Sequence, residues 1–180
     1  MFLDSNQIAQ ILPQSYPFLM IDRVVDFKKG ESLTAVKNIT GNEWMFGFSA
    51  EPRGANLERR PSTTLRPSRR VEGQGRPPAE QESPWGTTNT FPETLLIEAA
   101  AQAALILYHL SKIKEGEKHP KYILGKTKAE FERFVAAGDQ LNIVAFANKM
   151  LDTGGYSDIQ LSSCDKDVAH IEIIYSVIRV

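Results

Sequence analysis

The chain is 180 residues long, 42% hydrophobic and 24% charged, with a formal net charge of −1. That length suits a single domain with a core large enough to fold without staples. A charge so close to zero supplies no general pull toward nucleic acid or an anionic membrane. The one cysteine, Cys164, excludes an internal disulfide and fits a reducing compartment.

The opening MFLDSNQIAQ has neither the basic start nor the apolar run of a secretory signal. The longest apolar stretch, Leu95 to Tyr108, is interrupted by Glu98 and Gln102. It falls short of the about 20 apolar residues needed to span a bilayer. A cytoplasmic protein without a membrane partner is the expectation.

In chain order, Asp4 or Ser5 can cap a short helix that runs to Leu12 and stops at Pro13. Leu19 to Phe27 reads as a strand rich in branched residues. Lys28 to Glu31 reads as a turn, and Ser32 to Thr40 as a second, alternating strand.

Residues 49–89 differ from their surroundings. Seven of the ten arginines and six of the ten prolines lie there, with no lysine and no isoleucine. The few apolar residues keep neither a period of two nor one of 3.6, so no face is available for burial. A segment of this kind cannot recover its ordering entropy by packing. The sequence therefore predicts a long, mobile surface insertion in a single domain spanning 1–180. It reads either as a partner-binding arm or as a segment foreign to that domain, and its switch from lysine to arginine favours the second. It includes the basic run RPSRR but no interleaved aromatics, so a nucleic-acid partner is not expected.

After the insertion, Phe91-Pro92-Glu93-Thr94 leads into helix formers as far as Lys112. Pro92 suits the first turn, and Glu93 suits the positive end of the helix dipole. Residues 95–108 are apolar almost all round, the pattern of a buried helix. Three strands follow: Tyr122 to Phe134, Gln140 to Met150 and Tyr156 to Ser163. Gly138-Asp139 and Gly154-Gly155 read as the turns between them. Asp165-Lys166-Asp167 then turns into a last strand, Val168 to Val180. The pattern predicts an α+β fold in which an antiparallel sheet wraps one long central helix.

Glu98 is the residue that looks chemical. It sits early in the apolar helix, and Gln102 lies four residues on, on the same face. Burial there disfavours a charged carboxylate, and a carboxyl so placed can act as general acid or base. The plainer reading is that Glu98 and Gln102 only bond to each other or hold a subunit contact. Other candidates are weaker: His109 reads as a packing or rim residue, His119 as an exposed loop residue, and His170 as a sheet-face residue. The three histidines and Cys164 lack metal-ligand spacing, and no pattern calls for a cofactor.

Four blocks carry a resemblance, one of them Ala35 to Phe46, AVKNITGNEWMF, which is similar to the second strand and Asn-Glu-x-x-Phe ending of the family named next. Ile11 to Val24, ILPQSYPFLMIDRV, resembles the opening of the 3-hydroxyacyl-[acyl-carrier-protein] dehydratases of type II fatty acid synthesis. That opening usually reads Leu-Pro-His-Arg-Tyr-Pro-Phe, an apolar pair and Asp-Arg-Val; here Gln14-Ser15 replace His-Arg. Phe91 to Gln102 is similar to the family's Met-Pro-Gly-x-Leu-x-x-Glu-Ala-x-Ala-Gln helix. Lys128 to Leu141, KAEFERFVAAGDQL, is similar to its Lys-Phe-x-x-Pro-Val-x-Pro-Gly-Asp-Gln-Leu segment.

The resemblance implies a hot-dog fold, a catalytic carboxylate at Glu98, and substrate-binding roles for Gln102 and for Pro92 and Glu93 at the helix start. It implies an acyl carrier protein bearing a 3-hydroxyacyl chain as partner, and a homodimer or a trimer of such dimers. It also exposes two departures. The family's second catalytic residue is the histidine of a Gly-His-Phe-Pro motif just before the helix. Here Met45 to Ser49 occupy that place, and no histidine precedes His109. The glycine after Pro92 is Glu93. Three readings follow: an impaired dehydratase, a thioesterase on the same fold using Glu98, or a non-catalytic acyl-binding or partner subunit with 49–89 as its contact arm.

Overall fold

The computed structural model describes residues 2–49, 90–114, 117 and 120–179. The predicted insertion lies outside these residues, apart from Ser49. Among the described residues the elements are α1 (Ser5–Ile11), β1 (Arg23–Lys28), β2 (Ser32–Asn38), a 3-10 turn (Trp44–Ser49), α2 (Glu93–Lys112), β3 (Lys121–Phe131), β4 (Gln140–Leu151), β5 (Gly154–Ser163) and β6 (Lys166–Ile178). The strands form one antiparallel sheet in the order β1-β2-β4-β5-β6-β3.

The sheet curves around α2, whose residues from Gln102 to Tyr108 are all buried. This is the predicted α+β architecture. By length and composition α2 could cross a membrane, but 61% of its most apolar window is buried inside the fold. The inward faces of β2, β4, β5 and β6 supply Leu33, Ala35, Ile143, Ala145, Ile159, Leu161, Ile171 and Ile173 to the same core. Alanines at 99, 100, 103 and 104 are fully covered and let the sheet approach the helix closely.

Two anchors fix the ends that matter for function. At the N-terminus, Asp4 caps α1 and forms a reciprocal capping box with Gln7. At the start of α2, the Phe91 N–H donates to Val135 O at 2.6 Å, beside a bridge between Thr90 and Ala136. The turn that presents Val135 is held by Asp139, which accepts from the Ala136 N–H at 2.9 Å. That amide, more than any other neighbour, holds the Asp139 carboxyl below its ordinary range.

The strand edges depart from expectation at several places, among them the ends of β2, at Asn38 rather than Thr40, and of β3, at Phe131 rather than Phe134. β1 begins at Arg23, not Leu19. The Phe18 carbonyl and the Met20 N–H are bonded to Gln102 of α2, so this stretch cannot join the ladder. Gly154 and Gly155 belong to β5, and the turn falls on Asp152-Thr153. A side chain on Gly154 would run into the Tyr175 carbonyl of β6, and Gly154 has φ +155. The last hairpin turns at Cys164 and Asp165, with φ of 50 and 58, so Lys166 and Asp167 are already strand. Two successive positive φ values match the twist that a two-residue hairpin needs.

Three tyrosines meet toward the C-terminal half of α2. Tyr108 stacks edge-on against Tyr122 and Tyr175, at centroid distances of 6.1 and 5.7 Å. Burial pushes the Tyr175 hydroxyl up from 10.0 to about 12. The nearby Ser157 hydroxyl pulls the other way, although the two do not meet in hydrogen-bond geometry. Burial raises Tyr122 too. Both phenols fold as the neutral form. Their contribution to stability is therefore complete below pH 10, the ordinary value, and is lost as pH climbs through the raised one. Chemical unfolding of the chain should show stability falling from about pH 10 to about pH 12, with a shallower fall in Tyr175→Phe. Equal slopes in the two proteins would contradict this account of Tyr175.

Candidate functional site

Gln102 is the polar residue buried most deeply in α2, with no exposed surface. Buried amides cost free energy unless every group is paired. Its Oε1 accepts from the Met20 N–H at 2.8 Å, and its Nε2 donates to Phe18 O at 2.6 Å and to Glu98 Oε1 at 2.8 Å. The backbone partners dictate which way the amide faces: Met20 offers only a donor there, and Phe18 only an acceptor. One side chain thus ties the Pro17–Met20 stretch to the helix and delivers an N–H to the carboxylate.

Glu98 is half-buried rather than enclosed, because it faces a cleft. Its Oε1 receives a second donor, Gln14 Nε2, at 3.0 Å. Two amide N–H groups on one oxygen leave it only the acceptor role. A proton carried by this carboxyl therefore belongs on Oε2. Gln14 Oε1 is itself buried without a partner among the described residues. The cleft has a volume of about 120 Å³ and is bounded by Pro13, Gln14, Glu98, Leu105, Tyr122 and Ile173, among others. It is a largely apolar slot with one carboxyl at its wall.

The expected site residues are only partly gathered. Glu98 and Gln102 are in direct contact, as their spacing implied. Pro92 and Glu93 stand at the start of α2, outside the residues that line the cleft. Five residues of helix separate Glu93 from Glu98, about 7.5 Å along the axis. Pro92 is the N-cap and offers no side-chain cap, while its carbonyl accepts from the Leu95 and Leu96 N–H groups. Gln14 was not among the expected site residues. Its signal was present in the sequence: it stands where the family pattern has histidine.

No histidine reaches the cleft among the described residues. His109 lies eleven residues past Glu98, about 16 Å along the helix, with Nδ1 3.5 Å from the Tyr122 hydroxyl. His170 pairs with Asp158 across β5 and β6. His119 lies outside the described residues. Where the family places its histidine, the described side chains Met45 and Phe46 pack against the core. Cys164 is exposed at its hairpin turn. Among the described residues, no group of three or more His, Cys, Asp or Glu side chains is arranged to hold a metal ion.

The model of the FabA-like domain matches residues 12–51. The 3-hydroxyacyl-[acyl-carrier-protein] dehydratase FabZ of Legionella pneumophila strain Philadelphia 1 is 34% identical over 144 residues, covering 78% of this chain and 71% of that protein. The chain belongs to the FabZ dehydratase family. FabZ of Clostridium botulinum strain Loch Maree is 28% identical over 178 residues, covering 98% of this chain and 96% of that one. No histidine precedes His109 in this chain.

Solved structures show the shared hot-dog fold. The dehydratase heterocomplex ApeI:P from Xenorhabdus doucetiae superposes with a TM-score of 0.67 at 11% identity, covering 98% of this chain and 92% of that chain. A mutant thioesterase from Pseudomonas aeruginosa superposes with 0.58 at 16% identity, covering 100% and 97%. At such identities the likeness is one of fold.

Loss of Gln102 should be felt in stability. Gln102→Leu strands the Met20 N–H and the Phe18 carbonyl, at a cost of about 1–3 kcal/mol. Gln102→Glu should cost more, because it sets an acceptor against Phe18 O and against Glu98. Urea unfolding of the two variants checks the order; tolerance of Gln102→Glu would remove Gln102 from the account.

Proposed function

We propose that this chain removes water from 3-hydroxyacyl thioesters carried on acyl carrier protein, with Glu98 as its acid–base residue. The observation that supports this best is the Glu98 carboxyl at the wall of an apolar cleft, with two amides on one oxygen and the other oxygen left to carry the proton. Membership of the FabZ family supports the substrate class.

The reaction breaks the C2–H and C3–O bonds and forms the C2=C3 double bond. Glu98 Oε2 takes the C2 proton as the thioester carbonyl gathers enolate character. Amides at the uncapped start of α2, beside Pro92 and Glu93, offer partial positive charge to that oxygen. The same carboxyl then gives its proton to the departing 3-hydroxyl, which leaves as water. Glu98 ends as it began. Gln102 keeps the carboxyl oriented throughout.

Relatives that divide the work between a histidine and a carboxylate have a second group for one of these transfers. A single carboxyl must make both in turn. Removing one acid–base partner typically costs about 10²–10⁴-fold in rate, so the chain is a slow dehydratase. Its partners are acyl carrier protein and a second copy of itself. β3 is the sheet edge that exposes Ile123 and Leu124, with exposed Ile174 and Ile178 on neighbouring β6, and an unpaired apolar edge favours pairing. The cleft includes Ile123 and Leu124, so a partner at this edge would lie beside the site.

The test is incubation of the chain with a 3-hydroxyacyl carrier protein, with the product read by mass. The expected result is enoyl product, falling at least about 10²-fold in Glu98→Gln. Free acid would make the chain a thioesterase. Enoyl product undiminished in Glu98→Gln would move the chemistry elsewhere.

A further inference from the structure

A polar atom beside Glu98 has no partner among the described residues, and it belongs to Gln14. Gln14 Nε2 donates to Glu98 Oε1 at 3.0 Å, while Gln14 Oε1 is buried with nothing to accept from. An acceptor buried in that way is held at a cost that a suitable donor removes. We propose that Gln14 Oε1 accepts a hydrogen bond from the 3-hydroxyl of the substrate, and that this contact selects hydroxylated acyl chains over chains that lack the hydroxyl. The inference rests on reading the cleft as a 3-hydroxyacyl thioester site.

The orientation of Gln14 follows from its neighbour. An ionised carboxylate only accepts, so the amide turns Nε2 toward Glu98, and Oε1 is left on the other arm of the same carboxamide. Both residues wall the cleft. A hydroxyl placed to take a proton from Glu98 Oε2 comes up against the neighbouring Gln14 amide. Its oxygen then faces a proton donor, and its own hydrogen still needs an acceptor in an apolar slot.

Among the described lining residues, the polar side chains are Gln14, Glu98, Tyr122 and Tyr175. Glu98 Oε2 is engaged in the proton transfer, and Oε1 already receives two amides. The Tyr122 hydroxyl lies 3.5 Å from His109 Nδ1. The Tyr175 hydroxyl is turned against β5, where a Cβ on Gly155 would meet it at 2.5 Å. Gln14 Oε1 is the acceptor that remains. The contact is made by the substrate and lost with the reaction, because the enoyl product has no hydroxyl and leaves Gln14 Oε1 unmet again. Product is therefore held less tightly than substrate.

The experiment is calorimetric titration of the full chain with two pantetheine amides, 3-hydroxyhexanoyl and hexanoyl. Nitrogen in place of the thioester sulfur makes the C2 proton far less acidic, so the hydroxylated ligand survives the titration. The unaltered chain should bind it about 2–10-fold more tightly than the hexanoyl amide, the worth of one neutral hydrogen bond. Gln14→Met keeps the length of the side chain but offers no carbonyl, and it should bind the two ligands alike. If Gln14→Met does not fold, Gln14→Ala carries the same comparison. A Gln14 that only supports Glu98 would weaken both ligands together and keep their ratio, and that result overturns the proposal. So does an unaltered chain that binds the two equally. Failure of the unaltered chain to bind either ligand overturns the acyl reading and the Gln14 contact with it.

Discussion

A primary amide in an apolar helix must find two acceptor partners and one donor partner or lose more than it contributes. Gln102 finds all of them at once: the Met20 N–H, the Phe18 carbonyl and the Glu98 carboxylate. Much of the functional geometry depends on that solution. It draws the Phe18–Met20 backbone off the sheet and onto α2. The resulting path brings Pro13 and Gln14 over the helix, where they form one wall of the cleft. It also decides which oxygen of Glu98 is held and which is left to react. The interaction is structural and chemical together, and substitution of Gln102 should disturb both.

The sequence shows the large features because they follow from pattern. Residues 95–108 are apolar almost all round, and α2 ends at Lys112 as expected, with Pro92 as its N-cap just before the first turn. Alternating strands with short turns lead to one antiparallel sheet. The errors fall where a tertiary contact overrides local preference. LMIDRVVDF has strand chemistry along its length, but its first part is claimed by Gln102, a residue about eighty positions away. Gly154-Gly155 resembles a turn by composition, while the glycines in fact make room for Tyr175 from a neighbouring strand. No local reading of either stretch contains the residue that decides it.

The site was legible to a similar degree. The spacing of Glu98 and Gln102 foretold their contact, because four helical residues return a side chain to the same face. Gln14 was marked by its place in the family pattern, but its contact with Glu98 was hidden by distance along the chain. Only folding brings it to Glu98, and its amide donates to the oxygen that Gln102 already holds.

The central claim is that one carboxyl performs both proton transfers without a histidine. The pH dependence of kcat/KM for dehydration tests it most directly. A histidine partner titrates near pH 6.5 and adds a second limb to the profile. The account predicts a profile shaped by a single ionising group, unchanged in His109→Gln and lost with Glu98→Gln. A bell-shaped profile with a limb near pH 6.5 that disappears in a histidine variant would contradict it.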